Sequence, residues 1–254
     1  MKQTIIAAAT LTALSLPAFA ELEGELSLTY NNQYSYRGVS GLLEDAANAA
    51  GLPDVTENTF DAAINLSWKL DDNWSITAGG NIHTISDSSI DHNRYRAGVR
   101  YTAECYHVEL GYQSQDFRTI LGNVETGEIY LNIGSDSLIR GIDLNLHVAH
   151  DVDVLEGTYV ELSGHKSWEV ADRTSLGLTV GVSYSFDYFE NLIGSGNAWN
   201  NAYATLSLAY QATETLTITP YVTFSAGFDA LEVQGFNVEE EEEVVFGVEA
   251  SVSF

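Results

Sequence analysis

The eleven residues from Val244 to Phe254 constrain the fold more than any other stretch of the chain. Val244, Phe246, Val248, Ala250, Val252 and Phe254 share one parity, and Val245, Gly247, Glu249, Ser251 and Ser253 share the other. Successive side chains of a strand point to opposite faces, so this reads as a strand with one apolar and one wet face. An edge strand of a soluble sandwich seldom needs both that length and a terminal aromatic. A tilted strand crossing a bilayer needs about 9–11 residues, with aromatics at the lipid–water boundary. The stretch therefore predicts a transmembrane β-barrel.

The same rhythm recurs along the chain. A first strand is expected over about Glu25–Arg37, with Leu26, Leu28 and Tyr30 outward and Tyr34 and Tyr36 continuing that face. A polar loop, Val39–Asn58, follows. Strand two, Thr59–Leu70, turns Phe60, Ala62, Ile64, Leu66, Trp68 and Leu70 outward, and Asp71–Asn73 is a short turn into strand three. Trp68 and Trp74 flank that turn, where an interfacial girdle belongs. Strand nine is the most regular, alternating Leu176, Leu178, Val180, Val182, Tyr184 and Phe186 with Ser, Gly and Thr. Strand eight is the least regular, since Lys166 falls on the outer parity between Gly164 and Trp168; a bulge or a snorkelling lysine would account for it. About twelve strands result. Short joins at Asp71–Asn73, Ala103–Cys105, Asp136–Arg140, Ala171–Arg173 and Thr213–Thr215 alternate with longer polar joins after strands one, three, five, seven, nine and eleven. Short turns on one side and long loops on the other are the layout of an all-β, antiparallel, up-and-down outer-membrane barrel.

Residues 1–20 combine a charged start, an apolar run and Ala18-Phe19-Ala20, which predicts a signal peptide and a single barrel domain over residues 21–254. The formal net charge of −26 argues against nucleic acid as a partner. Cys105 is the single cysteine and cannot form an internal disulfide. The expected surroundings are outer-membrane lipid and surface glycolipid, with the strand ending in Phe254 offered to the barrel-assembly machinery. A homo-oligomer is left open.

Parity also assigns the lumen. Inward glycines leave room or let the sheet curl. Arg94, Arg96 and Arg100 point inward from strand four, and Arg37 joins them near the outer end of strand one. Inward acids are Asp61, Glu109, Glu128, Asp143, Glu161, Asp187 and Glu249. Four of ten basic residues on one side of the wall suit a water-filled pore whose charges tune ion selectivity. The alternative is a plug of buried ion pairs that stabilises the wall. Among the histidines, His83, His107, His147 and His165 turn inward, His92 is assigned to a loop, and His150 to the outer rim on the lipid side. A membrane-embedded hydrolase would need a serine beside His150, and Thr158 stands there instead. No spacing suggests zinc or another cofactor. The run Glu239–Glu243 reads as a solvated charge cluster in the last outer loop, and a loose calcium or magnesium site is the lesser reading.

The segment Asn32-Gln33-Tyr34-Ser35-Tyr36-Arg37-Gly38-Val39-Ser40 resembles the first-strand signature of the TorF family of porins. In that family an aromatic strand ends in Tyr-x-Phe-Arg-Gly-x-Ser. Tyr34, Tyr36, Arg37, Gly38 and Ser40 match, with Tyr in place of Phe at 36. The Gly-aromatic segment that commonly follows is not evident in Glu57–Trp68. The resemblance implies an outer-membrane porin and transfers no solute. The combined expectation is a passive diffusion channel for small polar or charged solutes, weakly cation-preferring from its net charge. A structural or adhesive barrel with a plugged lumen is the rival.

Overall fold

The computed structural model describes residues 21–33, 35–37, 39–40, 58–85, 91–119, 122–188, 196–228 and 242–254. The expected signal peptide, Tyr34, most of the loop before Asn58 and Glu239–Glu241 lie outside them. Among the described residues fourteen strands form: β1 (Leu22–Asn31), β2 (Ser35–Tyr36), β3 (Val39–Ser40), β4 (Thr59–Lys69), β5 (Trp74–Ile85), β6 (Asp91–Thr102) and β7 (His107–Thr119), then β8 (Gly122–Ile139), β9 (Ile142–Asp151), β10 (Thr158–Ala171), β11 (Thr174–Phe186), β12 (Ala198–Gln211), β13 (Leu216–Gly227) and β14 (Glu242–Ser253). Twelve of them pair antiparallel in sequence order and close on themselves where β1 joins both β4 and β14. β2 and β3 form a separate two-stranded hairpin.

Polarity is inverted relative to a soluble protein. Leu28 is 66% exposed, while Glu128 and Asp151 are fully buried. Leu26, Phe60, Ile76, Tyr95, Leu110, Ile129 and Phe246 are likewise exposed on the outer wall. Only a hydrocarbon surround makes that outer surface favourable, and a closed barrel satisfies its backbone groups without an edge. Aromatic clusters mark both rims. Trp74, Tyr101 and Tyr106 gather at the short-turn end, with ring centroids 5.0 and 6.3 Å apart. Tyr30–Phe60 and Tyr184–Trp199 gather at the other, each pair 5.2 Å apart.

Local chemistry fixes the short turns. The Asp71 carboxylate accepts the backbone N–H groups of Asn73 and Trp74, both at 2.8 Å. Gly141 takes φ +73° in the β8–β9 turn, a conformation that favours glycine. At the seam, Gly24 and Phe254 exchange two backbone hydrogen bonds of 2.8 and 2.9 Å. A Cβ on Gly24 would lie 2.4 Å from the Phe254 ring, so glycine lets the last aromatic lie flat over the junction.

Several expectations need correction. β1 stops at Asn31 rather than Arg37, because the chain turns off the wall into the β2–β3 hairpin. The join after β7 is two residues long, not a long loop, because β7 and β8 stay paired out to Thr119 and Gly122. His92 lies in β6, where parity turns it inward, and it is 1% exposed. Lys166 pairs in register with Leu178, and its ammonium sits 5.4 Å from the Trp168 ring centroid. It snorkels toward the aromatic rim, and the register shift falls between Glu169 and Ala171 instead. Asp187 stands just past the end of β11, exposed and at φ +55°, with its backbone bridged to Thr158.

Candidate functional site

The lumen is organised around Arg37. This residue sits in the turn between β2 and β3, with φ +54°. Its guanidinium reaches Glu128 on β8, five strands round the barrel from β1. Nη1 donates to Glu128 Oε1 at 2.7 Å and Nη2 to Oε2 at 2.8 Å, a bidentate pair whose side chains are 7% and 0% exposed. The Arg37 guanidinium carbon lies 4.5 Å from the ring centroids of both Tyr159 and Tyr188. Those rings stand 6.1 Å apart and inclined by 60°, forming a corner round the cation. Tyr188 and Gln113 each donate a further hydrogen bond to Glu128. Removing a carboxylate from water is costly unless its lone pairs are met, and here four donors converge on one group.

A second ion pair flanks the first. Arg100 Nη2 lies 2.6 Å from Glu109 Oε2, and the Tyr130 hydroxyl donates to Glu109 Oε1 at 2.7 Å. Tyr130 pairs across the strands with Gly111, where a Cβ would come within 2.5 Å of its ring. The glycine gives the phenol room to lie against the wall. The same glycine-opposite-aromatic pairing recurs at Gly181 with Tyr203 and Gly247 with Tyr221.

Arg94 and Arg96 differ from these two. Among the described residues neither has a carboxylate partner; Arg96 Nη2 instead donates to Asn65 Oδ1 at 2.8 Å. Both line a cavity of about 330 Å³ with Arg37, His83, His92 and His147. His92 is stacked between His83 and Phe117, with centroids 5.3 and 4.1 Å away. Glu161 lines the same cavity and is held by the hydroxyls of Tyr159 and Tyr203 at 2.7 and 3.0 Å. A second cavity of about 440 Å³ is acidic, lined by Glu25, Asp61 and Glu249 among serines and threonines. The two adjoin where Asp61 meets His83 and Asn65 meets Arg96.

Of the residues singled out by parity, Arg37 and Glu128 come together, as do Arg100 and Glu109. Arg94, Arg96 and Glu161 share the first cavity, and Asp61 and Glu249 the second. Asp143 stands near the short-turn mouth opposite His165. The expected separation of basic and acidic walls is thus half realised: two arginines are neutralised in contact pairs, and two remain. Tyr130 and Tyr159 were not singled out from the sequence, although they share the inward parity of Glu128 and Glu161; Tyr188, in the loop after β11, carries no such signal. At the outer rim His150 Nδ1 lies 2.9 Å from Thr158 Oγ1, a pair without a serine nucleophile.

No family model matches the sequence, and no curated protein matches it. Solved structures do resemble its fold. The KdgM porin aligns with a TM-score of 0.52 at 9% identity, covering 91% of this chain and 99% of that one. A second structure, the KdgM porin in complex with disordered oligogalacturonate, aligns with the same TM-score. The NanC porin aligns with a TM-score of 0.50 at 10% identity, covering 89% and 98%. At such identity the likeness is one of fold: this chain is a closed, twelve-stranded antiparallel barrel whose fold resembles that of these porins.

Proposed function

We propose that the chain is an outer-membrane channel for small charged solutes, passed by diffusion through its polar lumen. The observation that supports this best is the pair of arginines, Arg94 and Arg96, which face a cavity and have no carboxylate in contact among the described residues. A wall-stabilising ion pair would neutralise them; a solute path leaves them available. Their charge favours anions within that cavity, whereas the strongly acidic chain as a whole concentrates cations at the mouths. Inside the barrel the low-dielectric wall focuses the field of these arginines, so they weigh more on selectivity than the charges at the mouths.

The reversal potential of refolded protein under a potassium chloride gradient tests this. Replacing both Arg94 and Arg96 by glutamine is expected to move the anion-to-cation permeability ratio several-fold toward cations. An unchanged ratio would show that ions do not pass these arginines. The second reading, a structural barrel with a plugged lumen, draws on the Arg37–Glu128 bridge. It is favoured if the folded barrel stays silent even after Arg37 is removed.

A further inference from the structure

The contacts of Arg37 describe a binding site as well as a bridge. The receiving side belongs to the wall: Glu128 lies in β8 and Tyr159 in β10, both in continuous ladders with their neighbours. Tyr188 completes it from just beyond β11. The occupant does not belong to the wall. Arg37 is carried at the tip of a hairpin with two residue pairs, Ser35 with Ser40 and Tyr36 with Val39, outside the barrel sheet. Its backbone sits in the left-handed region, where a residue with a Cβ is disfavoured.

The chemistry of the receiver is selective. Two carboxylate oxygens accept two parallel N–H groups at 2.7 and 2.8 Å, which matches the planar fork of a guanidinium and not the point charge of an ammonium. Two phenol rings at 4.5 Å add their negative faces to a weakly hydrated, delocalised cation. We propose that Glu128, Tyr159 and Tyr188 form a guanidinium-binding site in the lumen, filled by Arg37, and that solutes carrying a guanidinium group compete with Arg37 for it. Release of Arg37 then widens the path past β8; that consequence rests on the channel reading, and the binding does not.

Competition against a tethered group is weak in the native chain, since a short tether keeps its occupant at an effective concentration of order millimolar or above. Emptying the site exposes its own preference. Calorimetric titration of refolded Arg37→Ala barrel in detergent micelles with methylguanidinium, methylammonium and urea reads it directly. Methylguanidinium is expected to bind at least about tenfold more tightly than methylammonium, and at least about tenfold more tightly than it binds the unaltered protein. Urea, planar but uncharged, is expected to bind no better than methylammonium, and adding Glu128→Gln is expected to remove the preference. Arg37→Lys keeps a cation at the hairpin tip and serves where Arg37→Ala yields no heat-modifiable barrel; methylguanidinium is expected to displace the lysine. A folded variant that binds methylguanidinium and methylammonium alike overturns the proposal. In planar bilayers Arg37→Ala is expected to conduct more than the unaltered protein, and methylguanidinium to reverse the gain. Barrels that bind guanidinium but stay silent uphold the site and remove the channel. Barrels that conduct without any guanidinium preference do the opposite.

Discussion

Truncating Glu128 to alanine is expected to lower the unfolding free energy by about 2–5 kcal/mol, the range for removing one partner of a buried, hydrogen-bonded charge pair. The loss has two parts. Arg37 keeps its charge but loses both acceptor oxygens, and the Tyr188 hydroxyl and Gln113 amide lose theirs. An orphaned donor in a place water reaches poorly costs about 1–3 kcal/mol. The guanidinium, carried on a hairpin tip, can retreat to water, which holds the total within that range. Urea unfolding of the refolded barrel in lipid vesicles measures this, and a double-mutant cycle with Arg37→Ala isolates the pair. The double variant is expected to be clearly more stable than the sum of the single losses implies, because with both gone no buried charge stands alone. Additive losses would mean that the two groups do not meet in the folded protein.

Gly157→Ala is expected to disturb the same site from the outside of the loop. A Cβ at Gly157 would lie 2.3 Å from the Tyr188 Cα, 2.4 Å from its N and 2.6 Å from the Asp187 carbonyl carbon. All three are backbone atoms, so no rotamer change relieves the overlap; one loop must move. The β9–β10 loop resists, since the buried Asp151 carboxylate accepts N–H groups from Asp153, Leu155 and Glu156 at 2.9–3.3 Å and the Thr126 hydroxyl as well. Tyr188, fully buried, is therefore the group displaced. Overpacking of this kind costs about 1–3 kcal/mol. Tyr188 is expected to become reactive to tetranitromethane in the variant while remaining protected in the unaltered protein. Equal protection and equal stability would show that the two loops approach less closely than described.

The fold was legible in the sequence because a membrane barrel writes its wall residue by residue. Period-2 alternation in Val244–Phe254 and Leu176–Phe186 reports which side chains face lipid, and that pressure acts on every strand alike. The strand number and the inward parity of Arg94, Arg96 and Arg100 follow from it. The site was legible only in part. Parity says that Arg37 and Glu128 are polar and inward, but not that a guanidinium from one side of the barrel crosses to a carboxylate five strands away. That contact depends on a departure from the strand, where Arg37 takes positive φ and the chain leaves the wall. His92 was misassigned because polar residues continue β6 past the apolar band, where alternation in hydropathy stops but pairing does not. The short β7–β8 connection was misread for the same reason: the outward positions from Ser114 to Arg118 are all polar, and the one apolar residue there, Phe117, shares the inward parity of Gln113 and Gln115, so no outward alternation marks the strand. Tyr188 sits in a loop and is placed by the close approach of Gly157, which one sequence does not announce.

The most direct measurement is single-channel conductance of the refolded, unaltered protein in a planar bilayer. The channel reading requires discrete, steady openings, small because Arg37 crosses the lumen, and larger once it is replaced by alanine. A heat-modifiable, correctly folded barrel that passes no current in either form would contradict it, and the lumen would then be a plugged support for the outer loops.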